Sequence, residues 1–172
     1  MSVPIAVLVG APGSGKSTVG PLLAAALGTS FRDTDHDIEA AAKKSISEIF
    51  IDDGEDVFRA LEHEAVVAAL TDHEGVLSLG GGAILDSRTR AALLSHRVVW
   101  LQVALKDATR RVGLGTSRPV LNFNPRATLG ALLKARAPLY EEVADLIVDT
   151  AGRAPQQIVA DLIIALQGAP DE

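Results

Sequence analysis

The sequence predicts an α/β sandwich built on a parallel sheet, and three observations support this fold class. Segments of strand and helix character alternate along the 172 residues, as parallel strands with helical crossovers require. Apolar residues make up 48% of the chain but aromatic residues only 3%, so Val, Leu, Ile and Ala must fill the core, which suits a buried parallel sheet. A glycine-rich phosphate-binding motif also stands between the first strand and the first helix, at residues 10–18.

Short apolar runs predict the five strands, because a strand that is buried on both faces needs no alternation of polar and apolar residues. The first and fourth runs are the clearest. The second is short and leads directly into Asp33-Thr34-Asp35. The predicted strands cover residues 5–9, 29–32, 76–79, 97–103 and 146–149.

Apolar periodicity and terminal signals predict the helices. Gly28 is placed to end the first helix as its C′ residue. Ser45 and Glu48 form a capping box for a short helix, and Pro155 begins the last one. The predicted helices cover residues 16–27, 38–50 with a break near 44–45, 55–70, 87–95, 106–112, 127–144 and 155–167.

Residues 113–125 form a polar segment, rich in Gly, Ser and Asn, between two predicted helices. A loop of this length in a compact domain usually has a function, so we expect a mobile lid. The chain is then a single domain over residues 1–172, whose core comprises residues 1–112 and 126–172.

The segment from Gly10 to Thr18 has the pattern G-x-x-x-x-G-K-[ST], with Gly10, Gly15, Lys16 and Ser17 in the fixed places. Such a loop curls its backbone N–H groups around a polyphosphate, while the lysine meets the outer phosphates and the serine hydroxyl can ligate Mg²⁺. The alternative is a glycine-rich turn with an incidental lysine. The order strand, loop, helix favours a nucleotide site.

Two further groups follow predicted strands, where ligands of α/β folds bind. Asp33 and Asp35 are separated by one residue, which in an extended stretch points both carboxylates the same way. One could hold Mg²⁺ through water and the other could meet a substrate hydroxyl; the alternative is a turn with an N-cap aspartate. Gly80-Gly81-Gly82 could present backbone N–H groups to a polar substrate or could be only a tight turn.

Arginines in an otherwise acidic chain suggest an anionic substrate. Arg59 and Glu62 are three residues apart on a predicted helix, so they form either a surface ion pair or a pair in which Glu62 orients Arg59 toward a carboxylate. Arg118 in the lid could contact a transferring phosphoryl group. Arg118 and Arg136 could instead be solvated.

Composition excludes several classes of function. The net charge of −6 disfavours nucleic acid as a partner. The absence of cysteine excludes thiolate metal sites and fits a reducing compartment, and the four histidines have no metal-ligand spacing. No apolar run approaches membrane-spanning length, and no signal peptide is expected. We therefore expect a soluble cytoplasmic monomer without a membrane partner.

An ordered set of motifs spans nearly the whole chain. It comprises Gly10 to Thr18, Asp33-Thr34-Asp35 with Ile38-Glu39, Ser45-Ile46 through Ile49-Phe50, Gly54-Glu55, Phe58-Arg59 with Glu62, Leu79 to Gly82, Arg118-Pro119, and Arg136 to Tyr140. In this order the motifs resemble those of the shikimate kinases, actinobacterial members most of all.

The resemblance implies a fold and a reaction. The fold is the three-layer P-loop NTPase sandwich of the nucleoside monophosphate kinase group, with a five-stranded parallel sheet in the order 2-3-1-4-5, helices on both faces and a mobile lid. The reaction is the Mg²⁺-dependent, in-line transfer of a phosphoryl group from ATP to the 3-hydroxyl of shikimate, a step toward chorismate and the aromatic amino acids.

The resemblance also assigns roles to individual residues. Lys16, Asp35 and Arg118 are the catalytic residues, with Asp35 as the base, and a helical segment over about 35–62 holds shikimate. Ser17 ligates Mg²⁺, and Asp33 reaches it through water. The nucleotide site comprises Gly13, Ser14, Gly15, Lys16, Ser17, Thr18, Arg111, Arg118, Arg153 and Pro155. Shikimate contacts comprise Asp35, Arg59, Gly80, Gly81, Gly82 and Arg136, with Ile46, Phe50 and Phe58 as an apolar wall.

Two features depart from the family pattern, and other kinases share the general plan. Val120 stands where leucine is usual, and the lid composition differs, which bears on lid dynamics more than on identity. A gluconate kinase should lack the Phe58-Arg59 and triple-glycine set, and a nucleoside monophosphate kinase should show a different acceptor signature. A regulator without catalysis would be expected to have lost Lys16, Asp35 or Arg118.

Overall fold

Five parallel strands form the sheet of the computed structural model, which describes residues 3–112 and 125–168 and, at 111–112 and 125–126, the backbone without the side chains. The strand order is β2-β3-β1-β4-β5, and all four pairings are parallel, so the order that the resemblance implied is confirmed. The strands are β1 (Ala6–Val9), β2 (Phe31–Asp33), β3 (Val76–Ser78), β4 (Val98–Gln102) and β5 (Leu146–Asp149).

Helices follow the strands as predicted, with ends that differ from the expectations by a few residues. The largest difference is at α2, which begins at Thr34, directly after β2, and not at residue 38. A 3-10 turn, Ala83–Leu85, was not predicted, because three residues are too short to show periodicity. The helices are α1 (Lys16–Ala26), α2 (Thr34–Ala42), α3 (Ile46–Asp52), α4 (Glu55–Asp72), α5 (Ser87–Leu93), α6 (Leu105–Val112), α7 (Pro125–Val143) and α8 (Pro155–Gln167).

Two apolar cores lie on opposite faces of the sheet. All four residues of β1 are buried, and the alternation of a strand sends Val7 and Val9 to one face and Ala6 and Leu8 to the other. The first face packs against α4, α5 and α7, and the second packs against α1 and α8. The three-layer arrangement follows from this alternation in β1 and its neighbours.

A smaller apolar cluster joins α2, α3 and α4. Ile38, Ile49 and Phe58 are its buried members. The break between α2 and α3 is the predicted capping box, in which the Ser45 side chain accepts from the Glu48 N–H and the Glu48 carboxylate accepts from the Ser45 N–H. This helical segment, residues 34–72, therefore packs as a unit beside the sheet.

The carboxyl ends of the three neighbouring strands lie level. Leu8 of β1 pairs with Ser78 of β3, and Asp33 of β2 pairs with the same residue. The chain therefore leaves β1 into the glycine loop, β2 into Asp33–Asp35, and β3 into the triple glycine, all at one edge of the sheet. In the described part of the chain no helix has both the length and the apolar character needed to cross a membrane.

Candidate active site

The phosphate-loop motif forms a closed turn before α1. Gly13 and Gly15 have positive φ angles of 79° and 99°, which glycine adopts without strain. Lys16 lies at the first position of α1, and its Nζ donates to the carbonyl oxygens of Gly10 at 2.6 Å and Ala11 at 3.1 Å. The lysine is therefore folded over the loop, beside the helix N-terminus that favours anions.

The loop is packed against the sheet as well as closed on itself. A Cβ at Gly10 would lie 2.6 Å from the carbonyl oxygen of Leu101 in β4 and 2.8 Å from Ser14 Oγ. The fixed glycine at this place is thus required by a close approach between two backbones. Ser14 is buried, so its hydroxyl contributes to the loop rather than to the surface.

A cleft of about 260 Å³ opens between this loop and the ends of β2 and β3. Lys16, Asp33 and Asp35 all line it. The complete lining is Gly13, Gly15, Lys16, Ser17, Thr18, Asp33, Asp35, Ser78, Leu79 and Gly80.

The two aspartates reach this cleft in a way that sequence spacing did not indicate. The prediction of an extended stretch was wrong, because the chain turns into α2 at Thr34. Asp33 is the N-cap, and its Oδ1 accepts from the Asp35 N–H at 2.8 Å. Asp35 lies in the first helical turn. The N-cap alternative is therefore correct for Asp33, and both carboxylates still line the cleft.

Burial raises the pKa of Asp33 above its ordinary value of 3.8, and the neighbouring Asp35 carboxylate raises that pKa further. The hydrogen bond from the Asp35 N–H and the nearby His36 and Lys16 act in the opposite direction. Holding an anion at this position therefore costs the folded chain stability, which a cation in the cleft would offset.

The triple glycine makes room for three polar side chains beside the cleft. A Cβ at Gly80 would lie 2.7 Å from Asp35 Oδ1 and 2.8 Å from Glu62 Oε2. A Cβ at Gly82 would overlap the guanidinium of Arg59. The glycines do lead into a turn, with the Ala83 N–H bonded to the Gly80 carbonyl, but the absence of side chains is what admits these three polar groups.

Arg59 is held by carboxylates on its own helix. Its guanidinium donates to Glu62 at 2.7 Å and to Glu55 at 3.3 Å, and it lies over the Phe58 ring at 5.2 Å. Glu62 is only 3% exposed, so the interpretation as a surface ion pair is wrong. Within the described residues the buried Nε of Arg59 has no hydrogen-bond partner.

Arg136 enters the same region from α7, and it is 8% exposed. Burial lowers its pKa, the neighbouring Arg59 charge lowers that pKa further, and the Tyr140 hydroxyl and Glu62 oppose both effects. No carboxylate of the described residues forms an ion pair with it. Two guanidinium groups thus lie near one another with Glu62 as a shared counter-charge, an arrangement that favours an anionic ligand.

The predicted apolar wall belongs to the small cluster of α2, α3 and α4. The Phe50 and Phe58 rings contact each other at a centroid distance of 4.8 Å. Phe58 is buried, and Ile46 and Phe50 are partly buried against it. The cluster holds the Phe58 ring in place, and the Arg59 guanidinium packs over that ring.

Two of the residues that were predicted to contact adenine follow β5, the last strand of the sheet. Pro155 begins α8, and Arg153 precedes it, with its guanidinium paired to Asp161. A second cavity of about 310 Å³ lies beside them at the ends of β4 and β5, between Ala11 of the loop, Tyr140 of α7, and Asp149 and Ala151 after β5. The side chain of Arg111 and the predicted lid at 113–125 with Arg118 lie outside the described residues, except that the backbone of Pro125 begins α7.

Sequence reasoning missed three contacts of the site. Glu55 is a second carboxylate on Arg59, and Tyr140 contacts Gly81. The spacing of four residues, from Glu55 to Arg59 and from Arg136 to Tyr140, was a signal that these pairs share a helix face. The packing of Gly81 against Pro12, where a Cβ would lie 2.9 Å from Pro12 Cδ, had no sequence signal.

Comparison with known proteins gives a consistent result. The family model described as shikimate kinase matches residues 12–167. The shikimate kinase of Salinispora arenicola is 60% identical over 163 residues, which cover 95% of this chain and 98% of the relative. That of Frankia casuarinae is 57% identical and covers 94% of this chain and 72% of the relative.

A solved structure extends the similarity to three dimensions. The shikimate kinase from Acinetobacter baumannii in complex with shikimate superimposes with a TM-score of 0.92 at 34% identity. The match covers 97% of this chain and 94% of the other. The resemblance that the motifs suggested is confirmed.

The raised pKa of Asp33 yields a prediction about stability. Its folded-state pKa exceeds the unfolded value, so its contribution is present below pH 3.8 and is lost as the pH rises through the folded-state pKa. Asp33→Asn keeps a side chain that can cap α2, and it removes the loss of stability that ionisation of Asp33 causes. We expect its Tm to exceed that of the unmodified chain by a few degrees at neutral pH, and the difference to disappear as the pH falls toward 3.8.

Asp86→Asn is the matched control, because Asp86 is also an N-cap aspartate. Its pKa is lowered by the Arg88 side chain, so this substitution should lower Tm at neutral pH. Thermal denaturation of both variants over a pH series measures the effect. A fall in Tm for Asp33→Asn at neutral pH would contradict the prediction.

Proposed function

The chain belongs to the shikimate kinase family, and we propose that its cleft transfers the γ-phosphoryl group of ATP in line to the 3-hydroxyl of shikimate. It is a kinase that phosphorylates shikimate with ATP, in the pathway to the aromatic amino acids. One observation carries the residue-level proposal. A phosphate loop, Asp35 and two neighbouring arginines, Arg59 and Arg136, lie at the same edge of the sheet.

The donor half of the site is the loop with the start of α1. We assign the triphosphate to the backbone N–H groups of residues 13–18, because loop dipoles and the helix N-terminus together favour an anion. Lys16 Nζ now contacts two backbone carbonyls, and phosphate oxygens would replace these neutral acceptors with charged ones. The lysine would thereby stabilise charge on the phosphoryl group during transfer.

The acceptor half recognises a carboxylate and a hydroxyl at separate points. Arg59 and Arg136 each present a planar fork of donors, which suits a carboxylate. Asp35, beyond Gly80, accepts from hydroxyl groups. A small hydroxylated carboxylic acid such as shikimate satisfies both requirements at once.

Asp35 is the proposed base. Its Oδ1 is buried beside Gly80, and its carboxylate lines the same cleft as Lys16. Phosphoryl transfer passes through a loose transition state that places little demand on early proton removal. Positioning the acceptor oxygen in line is therefore the larger part of the role of Asp35.

The residues of the cleft suit Mg²⁺, which the family implies. The donor set is all oxygen, because the Ser17 hydroxyl and the Asp33 carboxylate both line the cleft, and a divalent cation would offset the cost of the buried Asp33 carboxylate. The described residues contain no cluster of three metal-ligating side chains, and Mg²⁺ commonly takes its other ligands from water and substrate phosphates. When bound, the ion neutralises charge on the β- and γ-phosphates.

Several sequence predictions remain proposals. Arg118 is assigned to the phosphoryl group, and Arg153 and Pro155, with Arg111, flank the adenine. The monomeric state and the cytoplasmic location stay predictions of the sequence, and so does the division into a core and a lid over residues 113–125.

A substrate panel tests the reaction. The purified protein with Mg-ATP should release ADP with shikimate and should not turn over gluconate or AMP, because these acceptors lack a ring-borne carboxylate placed for Arg59 and Arg136. A coupled ADP-release assay measures all three. Turnover of gluconate or AMP without turnover of shikimate would reject the proposal.

Arg136→Ala tests the carboxylate site. We expect the shikimate KM to rise by an amount equivalent to about 2–4 kcal/mol, because a desolvated carboxylate loses its partner, while the ATP KM changes little. Arg97→Ala is the control, since Arg97 is a partly buried arginine bonded to the Leu166 carbonyl before β4, at the opposite edge of the sheet. An unchanged shikimate KM in Arg136→Ala would remove that residue from the site.

Lys16→Ala tests the donor site. The turnover number should fall by about 10²–10³, as for the loss of one preorganised charge-stabilising donor, and the shikimate KM should change much less. Lys134→Ala, at an exposed position of α7, serves as the control for loss of a lysine. Steady-state kinetics at saturating shikimate give the comparison, and near-normal turnover in Lys16→Ala would overturn the assignment.

A further inference from the structure

We propose that Tyr140 is a positioning residue, which holds Arg136 and the triple glycine in one fixed relation and so sets the affinity for the acceptor carboxylate. This inference rests on the proposed role of Arg136 in binding shikimate. Nothing in the motif itself distinguishes Tyr140 from an ordinary core residue. Its contacts do.

The hydroxyl of Tyr140 joins two elements of the acceptor site. It donates to the Gly81 carbonyl oxygen at 2.5 Å. Burial lowers the pKa of Arg136, which stands one helical turn earlier on α7, and Tyr140 opposes that effect by raising the pKa. The phenol must be the donor to Gly81, because a carbonyl oxygen only accepts, and its acceptor capacity remains for Arg136, because a guanidinium only donates. One phenol oxygen can therefore serve the triple glycine and Arg136 together.

The ring that carries this hydroxyl is immobilised by the sheet. Tyr140 is 1% exposed and stacks on Trp100 of β4, with a centroid distance of 5.5 Å and an interplanar angle of 27°. Both rings belong to the apolar core between the sheet and α7. The position of the hydroxyl is thus determined by core packing and not by a mobile surface side chain.

The neutrality of the phenol matters for the charge of the site. Arg59 is oriented by two carboxylates, Glu62 and Glu55, which offset much of its charge. Arg136 has the neutral phenol beside it and shares Glu62 with Arg59, so less of its charge is offset. A buried guanidinium that is oriented but not neutralised retains its attraction for an incoming carboxylate.

The bond to Gly81 orients the backbone beyond it. In a trans peptide the Gly81 carbonyl and the Gly82 N–H point in opposite directions. Tying the carbonyl to Tyr140 therefore directs the Gly82 N–H away from α7. Gly82 also lies against the Arg59 guanidinium, so Tyr140 fixes backbone and arginine donors together.

Tyr140→Phe removes the hydroxyl and keeps the ring. We expect the shikimate KM to rise by roughly tenfold, as for the loss of one buried hydrogen bond, with the turnover number and the ATP KM within about twofold of the unmodified enzyme. Thr150→Val is the matched control, because the buried Thr150 hydroxyl also donates to a backbone carbonyl, that of Gln102 at 2.7 Å. Thr150→Val should lower Tm by about as much as Tyr140→Phe does, and it should leave the shikimate KM unchanged.

The double variant Tyr140→Phe with Arg136→Ala separates positioning from structure. If Tyr140 acts mostly through Arg136, its removal should raise the shikimate KM by clearly less than tenfold once Arg136 is absent, with the remainder due to the Gly81 bond. A penalty that persists in full there, or a Tyr140→Phe enzyme with an unchanged shikimate KM, overturns the inference and leaves the proposed function in place. An Arg136→Ala enzyme with an unchanged shikimate KM overturns both.

A labelling experiment covers the case in which Tyr140→Phe folds poorly. Tyr140 is the only tyrosine in the chain, so growth on 3-fluorotyrosine labels this position alone. The ¹⁹F resonance of the folded enzyme should shift when shikimate is added, and the shift should be lost in Arg136→Ala at saturating shikimate. A resonance that does not respond to shikimate in the unmodified enzyme contradicts a positioning role.

Discussion

The absence of side chains at Gly80, Gly81 and Gly82 is the constraint on which the proposed acceptor site depends. Asp35 and Glu62 approach Gly80 so closely that a Cβ there would lie less than 3 Å from both carboxylates. Gly82 makes room for Arg59 in the same way, and Gly81 packs on the phosphate loop at Pro12. Groups from α2, α4 and the loop after β1 thus converge on three consecutive residues, because those residues occupy no volume beyond the backbone.

Charge is distributed unevenly over the two arginines of this site. Arg59 has carboxylate partners on its own helix, whereas Arg136 is buried beside a phenol and another guanidinium. Burial of both guanidinium groups without a full set of counter-charges is unfavourable in the free protein. On the proposed function, the substrate carboxylate would supply the missing charge, which favours an acid as the acceptor.

The donor side shows the same relation between stability and function. Asp33 caps α2, and an asparagine could do this equally well, yet the carboxylate stands in a cleft where burial and Asp35 raise its pKa. Lys16 and the loop line the same cleft. A carboxylate that destabilises the free fold is typical of a position retained for a bound cation or a reacting group.

The sequence by itself determined the order of the strands and helices, the glycine loop, the capping box at Ser45, and, through resemblance, the sheet order and the family. These features depend on local signals: apolar runs, turn residues and motif spacing. Only the tertiary structure decided that Thr34 begins a helix, that Asp35 and Glu62 both lie against Gly80, and that Tyr140 contacts Gly81. The contact between Tyr140 and Gly81 connects residues 59 positions apart. Contacts at such separations depend on how whole helices and strands pack, and local sequence patterns carry no signal of that packing.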